Sequence, residues 1–400
     1  MTIKAITAPS ARTDHLPKTI GYYAAFIALG LVGASLGPTL GVLAEHTGTH
    51  LSEISFLFAA RSLGYLMGSI LGGRLYDRMP GHPVMAVALC VMALGMLIAP
   101  LISLLWILVA ILLLLGLGEG LLDVGGNTLL VWVHRPNVGP YMNGLHFFFG
   151  VGALISPIVI AQLMLVSGDI IWGYWALAFL LIPAAIWLAR LPSPSGQLHA
   201  SEEAPVATNY ILVGMLTFFF FLFVGGEVSL SGWIYTYAVT MKLADTTTAA
   251  YLTSFFWGMF TLGRLVGIPI AARFRPRTIL LIDLLGSVVS ITILILWPQS
   301  AIALWLGVAG AGLAMASLFP VVISWAERRI TITGFITSCF FVGTSFGAMF
   351  FPWFIGQLFE SAGPSVTLFT IFGTMILSLL MFVVLMRYGG QPQTVKTAAT

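Results

Sequence analysis

The sequence predicts an all-α polytopic membrane protein, with twelve transmembrane helices in two pseudo-symmetric six-helix bundles. Three observations carry that prediction. Of 400 residues, 59% are hydrophobic and only 8% charged, with a mean hydropathy of +1.01. A soluble globular chain carries roughly 25% charged residues, so the apolar excess here must face lipid. Apolar runs long enough to cross a hydrocarbon core, which takes about 20 residues each, recur along the whole chain. Finally, the second half of the chain repeats the first.

Runs bounded by Gly, Pro or charge give spans at 19–43, 51–76, 82–100, 104–132, 138–165, 171–190, 209–239, 247–271, 277–297, 300–325, 331–358 and 364–387. They divide the chain into a tail (1–18), a first bundle (19–190), a linker (191–208), a second bundle (209–387) and a closing tail (388–400). The linker is polar and holds Pro192, Pro194, Glu202, Glu203 and Pro205. Nothing in the first tail resembles a cleavable signal peptide. Cys90 and Cys339 both lie in apolar runs, so there is no disulfide framework or zinc spacing to argue from.

Orientation follows from the basic residues. With the N-terminus cytoplasmic, 14 of the 17 Lys and Arg residues fall inside; Lys242 falls outside, and Arg61 and Arg264 lie within spans. Both termini are therefore expected in the cytoplasm, with the chain multi-pass in the plasma membrane, or the inner membrane of a bacterium. The net charge of +3 is placed for topology and gives no reason to expect a nucleic-acid partner.

The repeat is parallel. GALISPIVIAQL from Gly152 in span 5 matches GAMFFPWFIGQL from Gly347 in span 11, an offset of 195. The same offset carries Gly68 and Gly72 of span 2 onto Gly263 and Gly267 of span 8. Spans 5 and 11, like spans 2 and 8, are thus mates in a six-span duplication.

Charges within spans carry the functional information, because each costs roughly 2.5–3.5 kcal/mol near the bilayer centre. Span 4 reads GLGEGLLDVGGNTLL and places Glu119, Asp123 and Asn127 on one helical stripe. Two acids on a lipid-facing stripe would be very costly, so the stripe should face a hydrated cavity, where reversible ion uptake is possible. The bland alternative is a structural ion pair with Arg61 of span 2. Span 7 reads FVGGEVSLSGWIYTYA; Gly225, Gly226 and Gly232 suggest a discontinuous binding helix, with Glu227 and Trp233 in the cavity. A ring beside a carboxylate and hydroxyls suits a sugar. Tyr235 and Tyr237 are read as an interfacial belt. In span 5, Asn143 and His146 share a face; the histidine is either functional or a packing residue. Arg264 is expected to snorkel or pair, Asp283 to be structural, and Glu327 to pair with Arg328, Arg329 or Arg135 at the gate.

After span 2 the chain reads GGRLYDRMPGHPVM from Gly72, and span 8 ends in a degenerate version, GRLVGIPIAARFRPR, that lacks the acid. The first of these resembles the signature loop of the major facilitator superfamily, with Gly73, Asp77, Arg78 and Gly81 in place. Asp77 and its basic neighbours could latch one conformational state; alternatively Arg74, Arg78 and His82 only fix topology. FAARSLGYLMGSILGGRLYDR, LHFFFGVGALISP, FFWGMFTLGRL and ASLFPVVISWAE, together with the span 4 and span 7 stretches, resemble the branch holding the fucose–proton symporter and the sodium-dependent glucose transporters. That resemblance covers most of the chain. It implies the major facilitator fold, with spans 1, 4, 7 and 10 lining a cavity and Glu119, Asp123, Asn127, Glu227 and Trp233 around the ligand. Span 1 departs from the symporter, since it holds no carboxylate and Glu45 lies only at its outer edge.

The expected function is secondary active transport of a small polar solute, a monosaccharide first, by alternating access coupled to protons or sodium. Glu119, Asp123 and Glu227 are the expected ion-coupling acids; Asn127, Asn143, His146, Glu227 and Trp233 the solute ligands; Gly73, Asp77, Arg78, Glu327 and Arg328 the gate. The transporter is expected to work as a monomer and to need no cofactor beyond the coupling ion. An alternative keeps the fold and exports lipophilic compounds through a cavity lined by the run TFFFFLF (217–223). No metal-ligand spacing, nucleophile–base pairing or nucleotide-binding loop points to an enzyme.

Overall fold

The computed structural model describes residues 15–135, 137–194 and 209–388. Most of the expected linker and of both tails (1–14, 195–208 and 389–400) lie outside the described residues. Among the described residues, twelve helices are long and apolar enough to cross a membrane. Span 1 comprises His15–Gly33 and Leu36–Thr47; spans 2 to 6 are Leu51–Arg78, Gly81–Leu101, Leu105–His134, Gly139–Ser167 and Ile170–Arg190. Spans 7 to 9 are Tyr210–Thr240, Thr246–Arg273 and Pro276–Leu296. Span 10 comprises Ala301–Met315 and Leu318–Glu327, and spans 11 and 12 are Gly334–Ala362 and Val366–Tyr388.

Local chemistry sets the helix ends. Asp169, Asn209, Asp245, Ser300 and Thr333 each accept a backbone N–H of the first turn with their side chains, satisfying a donor that the helix leaves free. Gly48 and Gly168 take left-handed backbone (φ 63° and 77°) to close the turns after spans 1 and 5.

The discontinuous helix expected in span 7 is a correction. That span runs unbroken from Tyr210 to Thr240; span 2 is interrupted at Ser55 near its first turn, and the mid-span breaks fall instead in spans 1 and 10. Both occur in the same short sequence: Ala34-Ser35-Leu36-Gly37-Pro38 and Ala316-Ser317-Leu318-Phe319-Pro320. A proline has no N–H and its ring clashes with the carbonyl four residues back, here Ala34 and Ala316, which are the broken positions. The span 7 glycines serve close packing instead. A side chain at Gly225 would strike Phe351, at Gly226 Met375 and Thr374, and at Gly232 Phe58.

Each half packs around its own apolar core. One cluster is built mainly from spans 1 to 6 and the other mainly from spans 7 to 12, with Trp233, Ile355 and Phe359 crossing into the first and Ala34, Ala153 and Ala161 into the second. Repeat-related glycines set the closest contacts. A Cβ at Gly152 would run into the Ile27 carbonyl of span 1, and one at its mate Gly347 into the Phe221 carbonyl of span 7. Gly68 likewise meets the Leu117 carbonyl of span 4, and Gly263 the Leu313 carbonyl of span 10. Small residues that let backbones touch are how helices associate in lipid, where no hydrophobic drive exists.

The halves meet at the end of the bundle opposite the described termini, here called the cap. There Gln357 Nε2 donates to Ser52 O (2.6 Å) and Ser55 Oγ (3.2 Å), Leu51 N donates to Glu360 Oε1 (3.1 Å), and Gly37 packs on the backbone of Ser231 and Gly232. At mid-depth Phe149 meets Trp257, and Gly150 meets Thr261. At the other end, the base, span 8 is exposed on nearly every side from Leu265 to Arg275. A helix covered on one flank cannot be exposed all round, so the halves stand apart there. The molecule is closed at the cap and open at the base.

Candidate functional site

Spans 2 and 4 lie in backbone contact, which brings the charged stripe of span 4 onto Arg61 and Tyr65. Glu119 is buried and takes both ends of the guanidinium: Arg61 Nε donates to Oε2 (2.8 Å) and Nη2 to Oε1 (2.6 Å). The remaining donors of Arg61 reach span 1, Nη1 to Gly33 O (3.1 Å) and Nη2 to Val32 O (3.3 Å). These are the last carbonyls before the span 1 break, where the helix ladder ends; Val32 O also accepts from Ser35 N and Oγ, whereas Gly33 O is served by Arg61. Arg61 therefore caps a helix C-terminus inside the membrane region, and Glu119 neutralises it. Removing one partner of such a buried pair costs roughly 3–5 kcal/mol, because the other charge stays behind.

One turn further along span 4, Asp123 is half-buried. The Tyr65 hydroxyl donates to its Oδ2, and Asn127 Nδ2 donates to its Oδ1 (3.0 Å). Asn127 thus serves Asp123 from the next turn of the same helix. From the opposite half, Glu227 of span 7 is half-buried and, among the described residues, makes no hydrogen bond or ion pair. Arg264 of span 8 lies within electrostatic reach of both Asp123 and Glu227 without closing a salt bridge to either. His146 of span 5 also feels that guanidinium, and packs edge-on against Phe26 at 5.9 Å. Asp123, Glu227, Arg264 and His146 therefore converge at mid-depth between the halves.

Other expected residues fall elsewhere. Trp233 is fully buried in the cap seal; its Nε1 donates to Pro352 O (3.0 Å) and its ring stacks on Phe359. It also packs on Phe58 of the other half and leaves no face for a solute, which corrects its placement in the cavity. Tyr235 and Tyr237 are buried (7% and 1% exposed), so they are no interfacial belt. Asn143 is exposed, one turn nearer the base than His146. Phe219, Phe220 and Phe223 of the run 217–223 are wholly buried in the second core, and Phe221 of the same run lines an apolar cleft between spans 2, 7 and 11. At the base, Gly73, Asp77, Arg78, Glu327 and Arg328 are all exposed, and Asp77 makes no ion pair among the described residues. Arg329 lies over the Trp325 ring at 3.8 Å, and its Nη1 donates to Trp325 O (3.1 Å). Asp283 is bonded by Ser317 at the span 10 break.

The sequence gives no direct mark of Tyr65, and Arg264, expected to snorkel or pair, closes no salt bridge among the described residues. Tyr65 follows Arg61 by one helical turn, so the face that pairs with Glu119 must also present Tyr65 to Asp123. Arg264 was marked by its charge alone. An apolar cleft of about 400 Å³ between spans 2, 7 and 11 is lined by Phe56, Phe221, Phe350 and Trp353. It has no charged lining, so the chemistry resides with the mid-depth cluster. No group of three or more His, Cys, Asp or Glu residues among the described ones is placed to hold a metal.

The family model described as Major Facilitator Superfamily matches residues 20–348. The chain is 32% identical over 356 residues to Sodium-dependent glucose transporter 1 of Xenopus laevis, covering 81% of this chain and 72% of the relative. It is 30% identical over 410 residues to the protein of the same name from Homo sapiens, covering 92% and 79%. Among solved structures, the nucleoside transporter NupG superposes with a TM-score of 0.73 at 14% identity, covering 92% of this chain and 99% of that one. The D-xylose-proton symporter superposes with a TM-score of 0.71, also at 14% identity, covering 92% and 97%. The two structural likenesses speak for the fold.

Proposed function

The chain belongs to the major facilitator superfamily as a multi-pass membrane protein, and from that membership we propose that it is a cation-coupled secondary transporter of a monosaccharide. One observation carries the reading. Asp123 of the first half and Glu227 of the second converge on Arg264 at mid-depth, beneath a sealed cap and above an open base. Charged groups brought together from two rocking halves are where a cargo and a coupling ion can bias the same equilibrium. The names of the relatives, two of them sodium-dependent glucose transporters, favour a hexose as cargo.

In this reading the base faces the cytoplasm, as the clustering of Arg and Lys there supports, and the described state is open inward. Asp77 would engage its latch only when the base closes. Asp123 and Glu227 are the coupling acids of first rank, because Glu119 is engaged by Arg61 on both oxygens. Proton or sodium serves as the coupling ion. The cavity lies within one chain, so a monomer in the plasma membrane suffices.

The test is hexose uptake into proteoliposomes, with and without an imposed proton or sodium gradient. Accumulation should follow one of the two gradients. Asp123→Asn or Glu227→Gln should abolish accumulation while leaving exchange of sugar across the membrane. Uptake indifferent to both gradients would remove the coupling claim, and a protein that moves no sugar would remove the cargo.

A further inference from the structure

The two arginines within the membrane-spanning region are treated differently by the fold. Arg61 is tied down: its guanidinium donates to Glu119, Val32 and Gly33. Arg264 is not. Its Nε is buried without a hydrogen-bond partner, and its guanidinium carbon lies 4.8 Å from the centre of the Phe260 ring. That cation–π contact is the attraction the fold gives it at close range, and it leaves the in-plane N–H donors unused. The two acids in electrostatic reach stand beyond salt-bridge distance. Asp123 already accepts from Tyr65 and Asn127, whereas Glu227 accepts from nothing among the described residues.

Arg264 is half-buried, with its Nε shut off from solvent; a guanidinium that served packing alone would be expected to close on the nearest free carboxylate, since a buried charged donor left unused is expensive. Arg264 and Glu227 instead remain apart, on spans 8 and 7 of the same half. They therefore travel together when the halves rock and keep their spacing. A planar fork of donors beside a separate acceptor suits neighbouring hydroxyls on one ring. Each hydroxyl can both give and take a hydrogen bond, so one donates to Glu227 while the next accepts from Arg264.

We propose that Arg264 is a cargo-contacting specificity residue that grips adjacent sugar hydroxyls jointly with Glu227. The proposal rests on the sugar reading above and narrows it to cargos with a vicinal diol. Asp123 and His146, the other groups within electrostatic reach of Arg264, face it from the opposite half.

The experiment compares binding of D-glucose and each of its monodeoxy derivatives to the full-length protein in detergent, by quenching of tryptophan fluorescence. Wild type, Arg264→Gln and Arg264→Lys are measured side by side. For wild type, losing a hydroxyl that Arg264 contacts should weaken binding about tenfold or more, as for hydrogen bonds to charged groups. In Arg264→Gln the parent sugar should bind about tenfold more weakly, and the penalty at that hydroxyl should vanish. Arg264→Lys keeps the charge without the fork and should retain part of it; this variant carries the test should Arg264→Gln fail to elute as folded protein. Unchanged glucose binding in the variants would overturn the proposal, as would weaker binding that keeps every deoxy penalty at its wild-type size. If wild type binds none of these sugars, the sugar reading itself falls and the grip with it.

Discussion

Gln162 and Gln357 do the same work at two places: each reaches from its own half of the molecule to the other. Gln162 of span 5 bonds the Tyr251 hydroxyl of span 8, and Gln357 of span 11 bonds Ser52 and Ser55 of span 2. They are mates in the internal repeat, and the contacts they make stitch the cap across both sides of the pseudo-symmetric bundle. The seal is polar at its edge and aromatic beneath, where Trp233 meets Phe58 and Phe359.

Opening the cap must break the Gln357 bonds. Neutral hydrogen bonds contribute about 0.5–1.5 kcal/mol each, so Gln357→Leu should raise the cap-open population by roughly tenfold. Spin labels at His46 and Ser361, both exposed near the cap, should report a longer distance in the variant. An unchanged distance distribution would show that the aromatic layer alone holds the seal.

The Arg61–Glu119 pair should behave as a structural unit. Glu119→Ala strands a buried guanidinium and should destabilise the protein by roughly 3–5 kcal/mol, read as a large fall in Tm. The double variant Arg61→Met, Glu119→Met should recover much of that loss, while the span 1 break loses its cap. Equal stability of Glu119→Ala and wild type would mean that water reaches the pair.

Pro38 and Pro320 should each be needed to keep a helix broken. Pro38→Ala restores an N–H and removes the clash with Ala34, so span 1 should straighten and its outer piece lose register against Gly232. Slower uptake with an unaltered or raised Tm is the expected signature. A variant with both properties of wild type would place the cause of the break in Arg61 instead.

Gly347 should not tolerate a side chain. Its Cβ would meet the Phe221 carbonyl, a backbone atom that cannot move aside, and overpacking of that kind costs about 1–3 kcal/mol. Gly347→Ala should lower Tm, and Gly152→Ala should do the same in the other half. Gly373→Ala, where nothing lies within 4 Å, is the control expected to change nothing.

Asp245 caps span 8 from the loop, and the Thr248 N–H holds its carboxyl below the usual carboxylate range. A depressed folded pKa means the cap stabilises above the unfolded value near 4. That contribution is lost as pH falls through the lower folded pKa. Asn caps as well as Asp without titrating. Tm of Asp245→Asn should therefore fall less than wild type below about pH 4.

The twelve spans, the two-half repeat and the charged stripe of span 4 were legible because they depend on one-dimensional quantities. Hydropathy over about 20 residues, an offset between matching glycines and a spacing of four residues need no partner to be read. The ASLxP breaks were equally local in origin and were passed over, because glycine pairs in span 7 offered a more familiar reason for a discontinuous helix. Trp233 and the span 7 tyrosines misled for a different reason. An aromatic ring beside hydroxyls looks alike in a binding site and in a dry seal, and only the helix that arrives from the other half tells them apart.

Composition and periodicity by themselves determined that this chain crosses a membrane twelve times as two repeated bundles with acids within spans, since transfer from water to hydrocarbon acts on each residue alone. Which acid is tied and which stands unpaired was decided by tertiary structure. That outcome depends on whether Arg61 reaches Glu119 and whether Arg264 stops short of Glu227. Those are separations between helices distant in sequence, and an interaction that falls off with distance cannot be read before the distance exists.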